Sequence, residues 1–79
     1  MKKIEVTTRF LKDGKLLPIE FSLEEQVFLV KDIGRQWSNE EGVHVLVMDY
    51  QENTYHLLLK VPDFAWFMVR DMKDTPGMI

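Results

Sequence analysis

The sequence predicts an all-β protein, a small antiparallel meander of about six strands bent into a partly open barrel. Three observations carry that prediction. Turn chemistry recurs about every eight to twelve residues, separating short runs rich in β-branched and aromatic side chains. The strongest run, Val43 to Val61, reads as two strands joined by a tight turn. A chain of 79 residues is also too short for two full sheets, so its strands must curl around one modest core.

Residues Ile4 to Phe10 alternate, with Ile4, Val6, Thr8 and Phe10 on one side and Glu5, Thr7 and Arg9 on the other. Asp13-Gly14 is a strong two-residue hairpin signal. Closing the turn there pairs Lys12 with Lys15, Phe10 with Leu17, Thr8 with Ile19 and Val6 with Phe21. Pro18 falls on the opposite face and needs an edge or a bulge for its missing N–H.

The stretch Ser22 to Trp37 supports two readings. Ser22, Leu23, Glu24 and Glu25 match a helix capping box, and Leu23, Val27, Val30, Ile33 and Trp37 are near helical spacing. Against that, Val27 to Val30 is a strand-like run, and Gly34 suits a bulge bending a long strand. A turn followed by a strand is the favoured reading. The alternative is an α+β protein of order ββαβββ with a helix at 22–33.

Ser38 to Gly42 is a polar loop. Val43–Tyr50 and Thr54–Val61 then form the central hairpin, with Gln51, Glu52 and Asn53 as a three-residue loop and Asn53 in its left-handed last position. That register sets Tyr50 opposite Thr54. It aligns Val43, Val45 and Val47 with Val61, Leu59 and Leu57 on the core face. The second face carries His44, Leu46, Met48 and Tyr50 against Lys60, Leu58, His56 and Thr54, and it is only half polar. A loop of two or four residues would move the register by one and exchange partners. Pro62 to Ala65 makes another turn, and Trp66 to Met72 is the last strand. The expected domain is 1–73, with a frayed tail at 74–79.

Composition bounds the function. The chain is 46% hydrophobic and 29% charged, ordinary for a globular protein. It has no cysteine, which excludes disulfides, thiolate zinc sites and cysteine nucleophiles and fits a reducing compartment. A net charge of −3 argues against a dedicated nucleic-acid binder. Met1, Lys2 and Lys3 look like the start of a signal peptide, but Glu5, Arg9 and Lys12 interrupt any apolar core region. No run reaches the length of a membrane span. The expected setting is cytoplasmic, with no membrane partner.

Pro18 and Phe21, Val27 to Val30, Ile33 with Trp37, Tyr55 to Leu57 and Trp66 to Arg70 together resemble a group of small uncharacterised bacterial β-rich proteins. The likeness covers about Ile4 to Met72 and rests on core aromatics and turns. It implies a small β-rich fold and no established activity. It also implies a tie, in some members, to DNA-repair polymerase modules, which keeps nucleic acid in view. The chain departs from the pattern at Leu23 to Gln26.

No catalytic constellation emerges. A Gly-x-Ser-x-Gly motif is absent, and Asp49 and His56 fall on opposite faces of the hairpin. His44 and His56 share a face, but the register places them on the order of 13 Å apart, too far to hold one metal ion. The acidic pairs Glu24-Glu25 and Glu40-Glu41 lie in turns, where carboxylates are solvated. The glycines stand alone, without a phosphate loop. The sequence therefore points to a non-enzymatic interaction module without cofactor or metal. It offers an apolar sheet face (His44, Leu46, Met48, Tyr50, His56 and Leu58) or an open strand edge to a protein partner or to its own copy, a homodimer. The alternative is single-stranded nucleic-acid binding through Arg35, Trp37, Trp66 and Arg70.

Overall fold

The computed structural model describes residues 1–71, the last two by backbone alone. Six strands follow one another: β1 (Lys2–Phe10), β2 (Leu16–Leu23), β3 (Gln26–Asn39), β4 (Gly42–Asp49), β5 (Thr54–Lys60) and β6 (Ala65–Asp71). Each pairs antiparallel with the next, and β1 meets β6 through Lys2–Met68, Lys3–Phe67 and Ile4–Trp66 to close the barrel. The meander is therefore closed where a partly open one was expected. No helix occurs among the described residues, so the ββαβββ alternative falls. The tail expected at 74–79 lies outside the described residues.

The capping-box residues form a turn. Leu23 pairs with Gln26, and Glu24 and Glu25 between them have φ of 52° and 69°. Positive φ at both central residues marks the tight hairpin turn whose twist matches its strands. Glu24 also reaches back to Lys2 on β1 at 2.6 Å.

Two other hairpins share one loop design and differ from the expected registers for that reason. In the first, Leu11 N–H donates to the Lys15 carbonyl and Gly14 N–H to the Leu11 carbonyl, so Lys12, Asp13 and Gly14 form a three-residue loop with Gly14 at φ 89°. Phe10 consequently faces Leu16, and Thr8 faces Pro18. Ile19 is then an extra residue in a bulge, which restores the expected Val6–Phe21 pair. Pro18 is buried on the inner face, a correction to its expected outward position. In the second, Asp49 N–H donates to the Asn53 carbonyl, and Glu52 takes the left-handed position at φ 64°. The loop has the expected three residues but begins one residue earlier. Val43, Val45 and Val47 thus face Leu59, Leu57 and Tyr55. A slip of two leaves every side chain on its expected face.

At 14 residues, β3 is the longest strand and has to bend. Lys31 is an extra residue between the Val30–Asp49 and Asp32–Met48 pairs, and Gly34 and Arg35 together oppose Leu46. These bulges let the first half of β3 pair with β2 and the second half curl onto β4, in keeping with the role expected of Gly34. Gly42, which opens β4, has φ 143°, and a Cβ there would collide with the Leu59 carbonyl on β5.

The barrel interior is filled by Ile4, Leu16, Phe21, Val45, Val47, Tyr55, Leu57, Leu59, Trp66 and Met68. Phe21, Phe28 and Tyr55 form a ring cluster with centroids 5.0–5.8 Å apart. The outer face of β4 and β5 is covered as well. Leu46 and Leu58 are 3% and 0% exposed, although they point away from the barrel interior. The run Leu57-Leu58-Leu59 is therefore the signature of a strand buried on both faces.

Left-handed φ costs a residue with a Cβ about 1–2 kcal/mol, a cost glycine avoids. Glu25→Gly leaves the Glu24–Lys2 contact in place and is expected to raise the unfolding free energy by about 0.5–1 kcal/mol. Urea denaturation of the two proteins checks this.

Candidate functional site

Two features on the β3 side stand out, a groove and a histidine pair, and Trp37 belongs to both. β2 and β3 pair only from Glu20–Leu29 to Leu23–Gln26. Beyond that point the bulges carry β3 toward β4, and the two strands part. The resulting seam holds a groove of about 740 Å3 lined by Leu11, Lys15, Leu17, Ile33, Arg35 and Trp37 among others.

One side chain bridges the seam. Gln36 shares a face with Val45, the inner one, and reaches across to β2. Its Oε1 accepts the Leu16 N–H at 2.8 Å, and its Nε2 donates to the Leu16 carbonyl at 2.9 Å. A buried backbone amide needs partners, and where the neighbouring strand has left, the Gln36 amide supplies both. On the rim, the Arg35 guanidinium lies 5.5 Å from the Trp37 ring centroid, within cation–π range.

Behind Trp37 lies the histidine pair. His44 stands opposite Trp37 on β3 and Leu58 on β5, which sets it diagonal to His56. The rings meet with His44 Nδ1 2.8 Å from His56 Nε2, and the Trp37 ring stacks on His44 at 5.0 Å and 2°. The expected separation on the order of 13 Å is therefore overturned, because the hairpin register moved by two.

Hydrogen-bond logic fixes the protons. Asn39 Oδ1 accepts the Glu41 N–H at 2.9 Å, and a backbone N–H can only donate, so the amide orientation is set. The same oxygen lies 3.0 Å from His44 Nε2, which must carry hydrogen. A neutral His44 then accepts at Nδ1, and His56 donates from Nε2. The Glu41 carboxylate sits 3.5 Å from His44 Nε2. His44 thus commits both nitrogens to a line from the β3–β4 turn to β5. Two nitrogens at 2.8 Å share a hydrogen bond, and among the described residues no three His, Asp or Glu converge as a metal set.

Asp49 closes one end of the barrel, on the inner face, and does not meet His56. Its Oδ1 accepts the Gln51 and Asn53 N–H groups, each at 2.9 Å, and its Oδ2 accepts the Tyr55 hydroxyl at 2.8 Å. Burial pushes the carboxyl upward, but the hydrogen bonds from Asn53, Tyr55 and Gln51 outweigh it and hold Asp49 below the usual range. Here the acid acts as a loop anchor.

The interaction face expected from the sequence does not survive as a surface. His44, Leu46 and Leu58 are buried, Met48 and His56 half-buried, and only Tyr50 is well exposed. The nucleic-acid set also divides. Arg35 and Trp37 sit together on the rim, whereas Trp66 is in the barrel interior at 8% exposure. An extra residue at Val69 puts position 70 in register with His56. The Arg70 side chain lies outside the described residues. Gln36, Leu11, Lys15 and Leu17 belong to no functional motif in the sequence, and Pro18 and Gly34, which favour an edge and a bulge, are the local signals near them. Compared with known protein families, curated proteins and solved structures, the chain matches none.

Two outcomes follow from this geometry. Long-range 15N–1H spectra of the neutral imidazoles are expected to show both His44 and His56 as the Nε2–H tautomer. Asp49→Asn is expected to cost about 1–3 kcal/mol near neutral pH. Because the folded-state pKa is lowered, that contribution is present above the ordinary carboxylate range and fades as pH falls through the folded value. Urea melts of both proteins near neutral pH and at about pH 3 should show the difference shrinking in acid.

Proposed function

We propose that the chain is a non-enzymatic interaction module that takes a protein partner at the seam between β2 and β3. The observation that carries this reading is the unpaired strand edge there, bridged among the described residues by the Gln36 side chain and flanked by an exposed Arg35 and a half-buried Trp37. An open edge is a ready template for another chain, and strand addition to an exposed edge is a recurring mode of peptide recognition. The cysteine-free composition goes with a cytoplasmic setting.

Single-stranded nucleic acid is the second reading, favoured by the Arg35–Trp37 stack. Burial of Trp66 removes half of its aromatic platform, and the net charge of −3 weakens steering.

Affinity capture from the native cell, with and without nuclease, separates the two. The expected result is a nuclease-resistant protein whose recovery falls at least about tenfold with Arg35→Glu, an exposed position where charge reversal leaves folding intact. Recovery lost on nuclease treatment moves the function to nucleic acid. Recovery unchanged in Arg35→Glu removes the seam as the site.

A further inference from the structure

The structure points to an extended protein segment bearing a carboxylate as the occupant of the seam, added as a strand in place of the Gln36 amide. This inference rests on the interaction reading above and names the kind of partner that fits it.

The Gln36–Leu16 contact has the form of a strand pair. Leu16 both donates its N–H, at 2.8 Å, and accepts at its carbonyl, at 2.9 Å, from one amide. A hydrogen-bonded residue pair in an antiparallel ladder makes the same two-bond exchange. A primary amide is the side-chain equivalent of a peptide unit, so a guest backbone can take its place without leaving Leu16 unsatisfied. Pro18, two residues along, presents the same flank of β2 by the period of a strand, and it has no N–H to leave unpaired when the seam is empty. This wall of the seam thus stands without a neighbour at Pro18, and the two-bond pair at Leu16 is the place where a guest strand can enter.

Charge and shape narrow the guest. The lining contains Lys15 and Arg35 and no carboxylate, so a guest acid gains a partner and a guest base does not. Leu11, Leu17, Ile33 and Trp37 supply apolar walls for alternate guest side chains. A DNA strand fits less well. Its backbone offers acceptors only and cannot donate to the Leu16 carbonyl.

The test titrates the 15N-labelled full chain with peptides of about twelve residues selected against it from a random displayed library, and with an oligothymidine of similar length. Peptides carrying Asp or Glu are expected to shift the Leu16 amide and the Gln36 side-chain amide. N-methylation of every second guest residue should weaken binding about tenfold or more, with the residues between tolerated, because alternate N–H groups face the same edge. Gln36→Ala, which removes the competing amide, should bind more tightly. Lys15→Glu with Arg35→Glu should reverse the preference toward Lys-bearing peptides. Peptides that shift Arg35 and Trp37 without moving Leu16 or Gln36, and without the alternating N-methyl pattern, overturn strand addition while leaving the interaction reading intact. Shifts that lie away from the seam, or oligothymidine shifting the seam where no peptide does, overturn both.

Discussion

The bulges of β3 are the constraint on which the rest depends. A regular strand of 14 residues would run straight past one neighbour. With Lys31 inserted, and Gly34 and Arg35 opposing the single residue Leu46, β3 bends enough to serve β2 with one half and β4 with the other. That bend turns a six-strand meander into a barrel, because it brings β6 around to Ile4. The same bend pulls β3 away from the start of β2 and opens the seam. Closure and the groove are two consequences of the same pair of bulges.

Around this frame, the β4–β5 hairpin is the most heavily packed part of the molecule. Its inner face fills the barrel with Val45, Val47, Tyr55, Leu57 and Leu59, and its outer face encloses Leu46 and Leu58. Polar groups within this packing are paired, as burial requires. Asp49 takes the Tyr55 hydroxyl and two loop amides at one end, while His44 takes His56 and Asn39 on the outside. Stacking of Trp37 on His44 then ties the second half of β3 to this outer layer. The Trp37 side of the seam is consequently held against the most deeply buried hairpin of the fold.

With the outer face of the hairpin enclosed, the proposed interaction site moves to the seam. There a backbone edge, two cations and an indole converge within one groove. The side chain that covers the edge is an amide, the group best able to stand in for a peptide.

Strand order, the approximate turn positions and the inner and outer faces of β4 and β5 were legible in the sequence, whereas the Asp13-Gly14 turn takes a third residue and puts Leu16 and Pro18 inside where Leu17 and Ile19 were expected. Alternation along Val43–Val47 and Leu57–Leu59, the Asp13-Gly14 turn and the breaker at Gly34 are local signals, and strand periodicity turns them into faces. Register was not legible. Whether Glu52 or Asn53 takes the left-handed position is decided by the buried Asp49 carboxylate gripping the loop amides, and that burial exists only once the barrel has closed. A slip of two residues preserves the faces of this hairpin, so its core residues follow from alternation alone while the contact of His44 with His56 does not. Nor could the seam be seen in advance. The sequence by itself determined an all-β meander with a bulge at Gly34. Tertiary structure decided which edge that bulge would leave unpaired, because strand divergence is a property of closing the barrel and not of any single strand.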